Sequence, residues 1–283
     1  MIKKRFPYKE ISFRASGWMI VFYLGIVKYI KENYKIKNLQ LTGSSGGAIA
    51  ACSLLCDINL DEIILYLIKY KPYSNIFNIC NITKGGIDNY IINNINNKKI
   101  NRNTLNIACT IIDGNKCKTH IFNNFESVTD ICEYLKGSVH IPFFGGIIPY
   151  QYNNYIMYDS IITDSHPHIT NDCLNISWNK HCNCGCEKTL DVIRPYTDLP
   201  VTWCMTPPKN VIHNLYLHGY SQAKLFFENI HDEEDVAIIE KIETELKTFN
   251  KSIEIFKVVF IIGIITIASI KLKILIKDKN IIM

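Results

Sequence analysis

The chain has 283 residues, 48% of them apolar and 20% charged, with a formal net charge of +5. That balance excludes a long disordered region, and the absence of any dense Lys/Arg block excludes nucleic acid as a partner. The basic residues gather instead at the two ends, as Lys3, Lys4 and Arg5 and as Lys271, Lys273, Lys277 and Lys279, which suits an anionic membrane surface as well as it suits solvated termini. The N-terminal stretch MIKKRFPYKEISF lacks the apolar core of a signal peptide, so the eleven cysteines read as reduced cytosolic thiols. His181, Cys182, Cys184 and Cys186 fall within HCNCGC, where one-residue spacers are too short for the usual zinc geometry. A thiol-rich surface loop is expected there, with no metal and no organic cofactor anywhere in the chain.

In chain order, Glu10–Arg14 reads as a strand running into the small-residue turn Ala15-Ser16-Gly17. From Trp18 to Tyr34, Ile20, Val21, Leu24, Val27 and Ile30 recur at three- and four-residue steps and predict a helix. Leu39–Thr42 predicts a second strand, Gly43–Gly47 a tight turn, and Ala48–Leu55 a small-residue helix able to pack closely on a sheet. Two strand-turn-helix units in succession indicate a parallel α/β sheet. Gly86–Ile95 reads as a helix, and Leu105–Asp113 with Cys117–Phe122 as a hairpin turning at Asp113-Gly114-Asn115. Val128–Leu135 predicts a helix, Tyr155–Tyr158 a strand ending at Asp159, and Leu174–Trp178 another strand. Beyond Pro208, Asn214–Ile230 and Glu234–Phe249 are amphipathic helices, followed by the apolar run Val258–Ile270. With Lys257, Lys271 and Lys273 snorkelling, that run extends to Ile276, close to the length of about 17–25 residues that a spanning helix needs.

The sharpest chemical signal is Gly43-Ser44-Ser45-Gly46-Gly47, a G-x-S-x-G between a predicted strand and a predicted helix. Such an elbow holds its serine in a strained conformation, with Gly43 and Gly47 keeping the turn free of side chains, and the following helix aims amides and the positive end of its dipole at an oxyanion. A phosphate-binding loop is the rival reading, but Ala48 and Ile49 stand where its Lys and Ser/Thr belong. An α/β-hydrolase would need more strands before the elbow than 42 residues can supply. A triad drawing on His213 or His218 is a further alternative for the proton acceptor.

Three segments carry a resemblance to a known family. ISFRASGWMIVFYLG resembles the glycine-rich first turn of the patatin-like phospholipases, closest to their animal triglyceride-lipase (adiponutrin-like) branch. LTGSSGGAIAA matches that family's nucleophile elbow, and IPFFGGIIPYQYNNYIMYDSIITDSHP resembles the segment bearing its catalytic aspartate. The resemblance spans about residues 10–200 and implies a three-layer α/β/α fold with a mostly parallel central sheet over residues 8–200, then C-terminal helices over 208–283. It further implies a serine acyl hydrolase of glycerolipid esters working through a Ser45–Asp159 dyad and an acyl-enzyme, with backbone N–H groups around Ser16, Gly17 and Trp18 holding the oxyanion. Asp164 would be a structural neighbour of the base.

The expected partners are a lipid ester substrate and a membrane or lipid surface, and the expected location is the cytoplasmic face of a membrane, anchored through residues 258–276. No particular oligomeric state is indicated. Trp18, Phe143, Phe144 and Tyr150 are candidates for an acyl channel. Three positions depart from the family's glycines, namely Ala15, Ile20 and Ser160, and β-branched Ile20 would resist a positive φ. They motivate the alternative expectation, a catalytically impaired patatin-like protein serving as a lipid-binding or membrane scaffold.

Overall fold

The computed structural model describes residues 3–250 apart from 57, 72–78, 97–100, 115, 147, 182–190, 206 and 230–232. It divides into two units, Met1–Ile242 and Glu243–Met283, and of the second only the end of the last helix is described. The first unit is mixed α/β. Its elements are β1 (Lys4–Arg5), β2 (Glu10–Phe13), α1 (Ile20–Asn33), β3 (Tyr34–Lys35), β4 (Gln40–Ser44), α2 (Gly46–Cys56), α3 (Leu60–Tyr70) and α4 (Ile79–Gly86). A π-helical turn at Ile87–Ile91 joins α4 to α5 (Ile92–Asn96), and β5 (Leu105–Asp113), β6 (Lys116–Phe122) and α6 (Val128–Ser138) follow. The remainder is β7 (Tyr150–Tyr152), β8 (Tyr155–Asp159), β9 (Cys173–Ile176), β10 (Val192–Ile193), α7 (Lys209–Glu228) and α8 (Glu233–Asn250).

The main sheet runs β10-β9-β2-β4-β5-β8-β7, with β6 added to β5. From β10 to β5 all pairings are parallel, whereas β6, β7 and β8 join in antiparallel fashion. Every residue of β2 and β9, and the first seven of β5, are buried. Strands buried at consecutive positions are covered on both faces, which is the three-layer arrangement the resemblance implies. The β5–β6 hairpin turns as its Asp-Gly dipeptide predicts, with Gly114 at a φ of +57°.

One register fixes the geometry of everything below. Ala108 and the residues before it on β5 pair with the end of β4, Ser44 opposite Ala108, while Cys109–Ile111 pair with β8, Asp159 opposite Cys109. β6 occupies the other edge of β5 along both stretches, so β4 and β8 lie end to end on one edge. They approach from opposite directions, because β4 is parallel and β8 antiparallel to β5. Their C-termini therefore meet, and the residues that leave those termini are brought together.

Helices cover this sheet for readable reasons. α2 packs on β4 and β2, α6 packs on β5 and β8, and α1 lies between α2 and α7. α6 starts in a capping box, Ser127 accepting from Asp130 N–H and Asp130 accepting in return from Ser127 N–H. α3 starts at Asn59, whose side chain accepts the Asp61 N–H at 3.1 Å. The first unit extends to Ile242 and thus includes α7.

The anchored location read from the sequence is corrected by the helices. Among the described residues no helix is long and apolar enough to cross a membrane. α7 has 20 residues, but Lys209, Asn210, His213, Gln222, Lys224 and Glu228 interrupt it, and Glu and Lys recur along α8. The segment 258–276 lies outside the described residues, as do Cys182, Cys184 and Cys186 of the thiol cluster. Among the described residues no His/Cys/Asp/Glu group is arranged to hold a metal ion, and His181 lies 3.0 Å from Asp198.

Candidate active site

β4 ends at Ser44 and α2 begins at Gly46, so Ser45 alone makes the turn that the sequence spreads over five residues. The reversal from strand to helix in one residue forces Ser45 to a φ of +54°. A non-glycine residue pays about 1–3 kcal/mol for that conformation, and it persists only where the surroundings impose it. Here they do. A Cβ on Gly43 would stand 2.5 Å from the carbonyl of Gly47, and one on Gly47 would stand 2.4 Å from the carbonyl oxygens of Phe13 and Arg14. The two glycines let α2 close directly onto the ends of β4 and β2.

The elbow is held from a second side by a residue that carried no signal in the sequence. Ser138, the last residue of α6, accepts the Ser45 N–H on its Oγ at 2.9 Å and donates to the carbonyl of Ala108 at 2.7 Å. It is fully buried. A serine at a helix end suggests nothing by itself, and only the packing of α6 on β5 gives it this task.

Asp159 arrives from the end of β8 and is 0% exposed, against 5% for Ser45. Its N–H donates to the carbonyl of His140 at 2.9 Å, and its Oδ1 accepts the Ile161 N–H at 2.9 Å. Among the described residues Oδ2 has no aligned hydrogen-bond partner. Burial raises the pKa to about 7, while the nearby Ser45 hydroxyl and the Ile161 N–H pull it back down. The serine and the carboxylate are thus adjacent, close enough for the hydroxyl to favour the charged acid without a closed, well-aligned hydrogen bond. Ser160, standing where the family has glycine, is buried and hydrogen-bonded through its hydroxyl to Ser44, which ties the ends of β8 and β4 together. Asp164 accepts the His166 N–H at 2.9 Å, a turn-forming role.

The first turn resolves the matter of its missing glycines. Gly17 has a φ of +52°, and a Cβ there would lie 2.1 Å from the Cys204 carbonyl oxygen. Ile20 is already helical, with φ −49° and ψ −32°, and Ala15 is not among the residues of positive φ. The one position that demands glycine is therefore the one that has it, and β-branched Ile20 is unstrained. Gly17 also faces the elbow: a Cβ on Gly46 would meet Ser16 Oγ at 2.4 Å and the Gly17 nitrogen at 3.2 Å. Among the described residues no acceptor is found for the N–H groups of Gly17, Trp18 and Gly46. Amides of this turn and of the α2 N-terminus thus gather beside Ser45, with the positive end of the helix dipole behind them.

In front of Ser45 lies a cavity with walls that include Trp18, Ile49, Leu67, Ile87, Ile91 and Val139. Of the four aromatics expected to line a channel, Trp18 does so; Phe143, Phe144 and Tyr150 do not. Phe143 is exposed, and the Tyr150 hydroxyl donates to Glu133 at 2.5 Å. Neither His213 nor His218 lines the cavity: His213 is exposed on α7, and buried His218 accepts the Tyr196 N–H at 3.3 Å.

No protein-family model and no curated protein matches the chain. Among solved structures it is similar to the crystal structure of VipD from Legionella pneumophila, with 12% identity and a TM-score of 0.46 over 79% of this chain and 67% of that one.

Proposed function

We propose that the protein is a serine acyl hydrolase of lipid esters, in which Ser45 attacks and Asp159 accepts its proton directly. The observation that carries the reading is the convergence of a strained serine, at a φ of +54°, with a fully buried carboxylate whose pKa is raised to about 7, in front of an apolar cavity. A carboxylate at its ordinary pKa near 4 removes a serine proton poorly, and one near 7 is far better matched to neutral pH. On attack, the Ser45 Oγ bonds to the ester carbonyl carbon, the proton passes to Asp159, and the carbonyl oxygen becomes an oxyanion received by the amides of Gly17, Trp18 and Gly46. Collapse expels the alcohol, which takes the proton from Asp159. Water then gives its proton to the same carboxylate as it attacks the acyl-enzyme, and collapse breaks the bond to Ser45 Oγ, which takes that proton back from Asp159 as the fatty acid is released. No step requires a metal or an organic cofactor.

The motif resemblance to the patatin-like phospholipases supports the same dyad and points to glycerolipid esters met at a lipid surface. The cavity walls support an acyl chain as the buried part of the substrate. A fluorophosphonate probe tests the reading. Covalent labelling of the purified protein, abolished in Ser45→Ala, is the expected result; a well-folded protein that takes no label would favour the lipid-binding scaffold.

A further inference from the structure

The cavity in front of Ser45 contains an unspent hydrogen-bond donor. Trp18 lines it and is 3% exposed, yet its indole Nε1–H is withdrawn from water and meets no acceptor among the described residues. A buried indole N–H ordinarily finds a partner, so a partner delivered from outside the chain is the natural explanation. Two other polar groups of the cavity wall are already engaged. The Tyr66 hydroxyl donates to the carbonyl of Ile82 at 2.9 Å, and the Ser45 N–H to Ser138.

The surroundings define the chemistry of that partner. Ile49, Leu67, Ile87 and Ile91 offer only hydrocarbon surface, so the body of the ligand is apolar. Trp18 directly follows Gly17, which abuts Gly46 next to the serine, so the backbone of Trp18 stands close to the reactive end of the cavity whose wall its side chain forms. The Lys71 ammonium lies 6.0 Å from the centre of the same ring. Lys71 continues the face of α3 that carries Ile63 and Leu67, both of which line the cavity, at four-residue steps. A cation there favours an oxygen bearing negative charge over a neutral one.

We propose that the Trp18 indole N–H binds a carboxylate oxygen of the fatty acid released in this cavity, which makes Trp18 a product-binding residue. The inference deepens the acyl-hydrolase reading and rests on it for the origin of the ligand, while binding of a free fatty acid requires no turnover. Trp18→Phe keeps most of the ring and deletes the donor.

Calorimetric titration with laurate is expected to show about tenfold weaker binding to Trp18→Phe than to the wild type, the loss of one hydrogen bond to a charged group. The melting temperature of the variant should equal or exceed that of the wild type, since an unsatisfied buried donor is removed. Equal affinity in the two proteins, or no laurate binding to the wild type, would overturn the proposal. Should Trp18→Phe fail to fold, the indole 15N–1H resonance of Trp18 in the wild type decides: a downfield shift on adding laurate supports the hydrogen bond, and an unmoved resonance refutes it. Labelling of Ser45 by the fluorophosphonate is read separately, so failure of laurate binding and failure of the hydrolase reading leave different signatures.

Discussion

Asp159 is the residue where function and stability pull against each other. Its carboxyl is fully buried, and burial pushes its pKa from the ordinary aspartate range up to about 7. The folded protein therefore holds this proton more tightly than the unfolded chain, and between roughly pH 4 and pH 7 stability falls as pH rises, reaching a constant penalty above the folded pKa. A shift of that size corresponds to something of the order of 4 kcal/mol. Asp159→Asn removes the ionisation but keeps an oxygen for the Ile161 N–H. The variant should melt several degrees above the wild type at pH 8 and at the same temperature near pH 4, while hydrolysis is lost at both. Equal melting curves at pH 8 would show that the carboxylate is solvated in a way its burial does not suggest. In the wild type, kcat/KM should rise with pH through a single apparent pKa near 7. The sequence singles out Ser45 by its strand-turn-helix elbow and Asp159 by the family resemblance, since an aspartate after a strand reads by itself as a cap. Ser138 and His140 were not, since the first acts through a hydroxyl supplied by a distant helix and the second through its backbone carbonyl.

At the scale of elements, the parts nearest the chemistry are those whose sequence period is cleanest. α1, β4, α2, β5 and β6 all fall within a few residues of their predicted spans, because small residues, β-branched runs and an Asp-Gly turn mark them. α3 is absent from the sequence reading although its signature is present: Asn59 as N-cap, then Leu60, Ile63, Ile64 and Leu67 on one face. The π-helical turn at Ile87–Ile91 sits in an Asn/Ile-rich stretch whose periodicity is too uniform to reveal a change of helix type. Helix pairing was likewise hidden, since it depends on surfaces rather than on period. α1 and α7 approach so closely that a Cβ on Gly25 would lie 2.0 Å from the Tyr216 carbonyl oxygen, and one on Gly219 would lie 1.9 Å from that of Phe22. Both obstacles are backbone, which cannot swing aside as a side chain does. Gly219→Ala should therefore push the helices apart and destabilise the protein by about 3 kcal/mol or more, as overpacking does at its severe end. A control at exposed Leu217→Ala on the same helix should change stability by less than about 1 kcal/mol. Similar losses for the two would argue that the helices do not meet through their glycines.

The whole molecule makes its candidate site from strand ends that are far apart in the chain. β4 and β8 converge on one edge of β5, α6 supplies the Ser138 clasp, and the turn before α1 closes over Gly46. No single supersecondary unit contains the site, in contrast to lids and binding loops that open with little loss of the core. The strain at Ser45 sharpens this dependence, because a φ of +54° is sustained only while α2, β2 and α6 press on the elbow together. Loss of any of them would let the turn relax. Fluorophosphonate labelling measured across a urea series should consequently fall with the same midpoint as the helical circular dichroism signal, within the precision of a two-state fit. Ser138→Ala should break that coincidence. It leaves the Ser45 N–H buried without an acceptor, costing about 1–3 kcal/mol, and loosens the elbow while the sheet still stands. Labelling would then fail at lower urea than the circular dichroism signal. A wild type whose labelling fades well before its helices unfold would mean that the elbow is an independently mobile turn, and that the convergence of β4 and β8 does not by itself hold the serine in place.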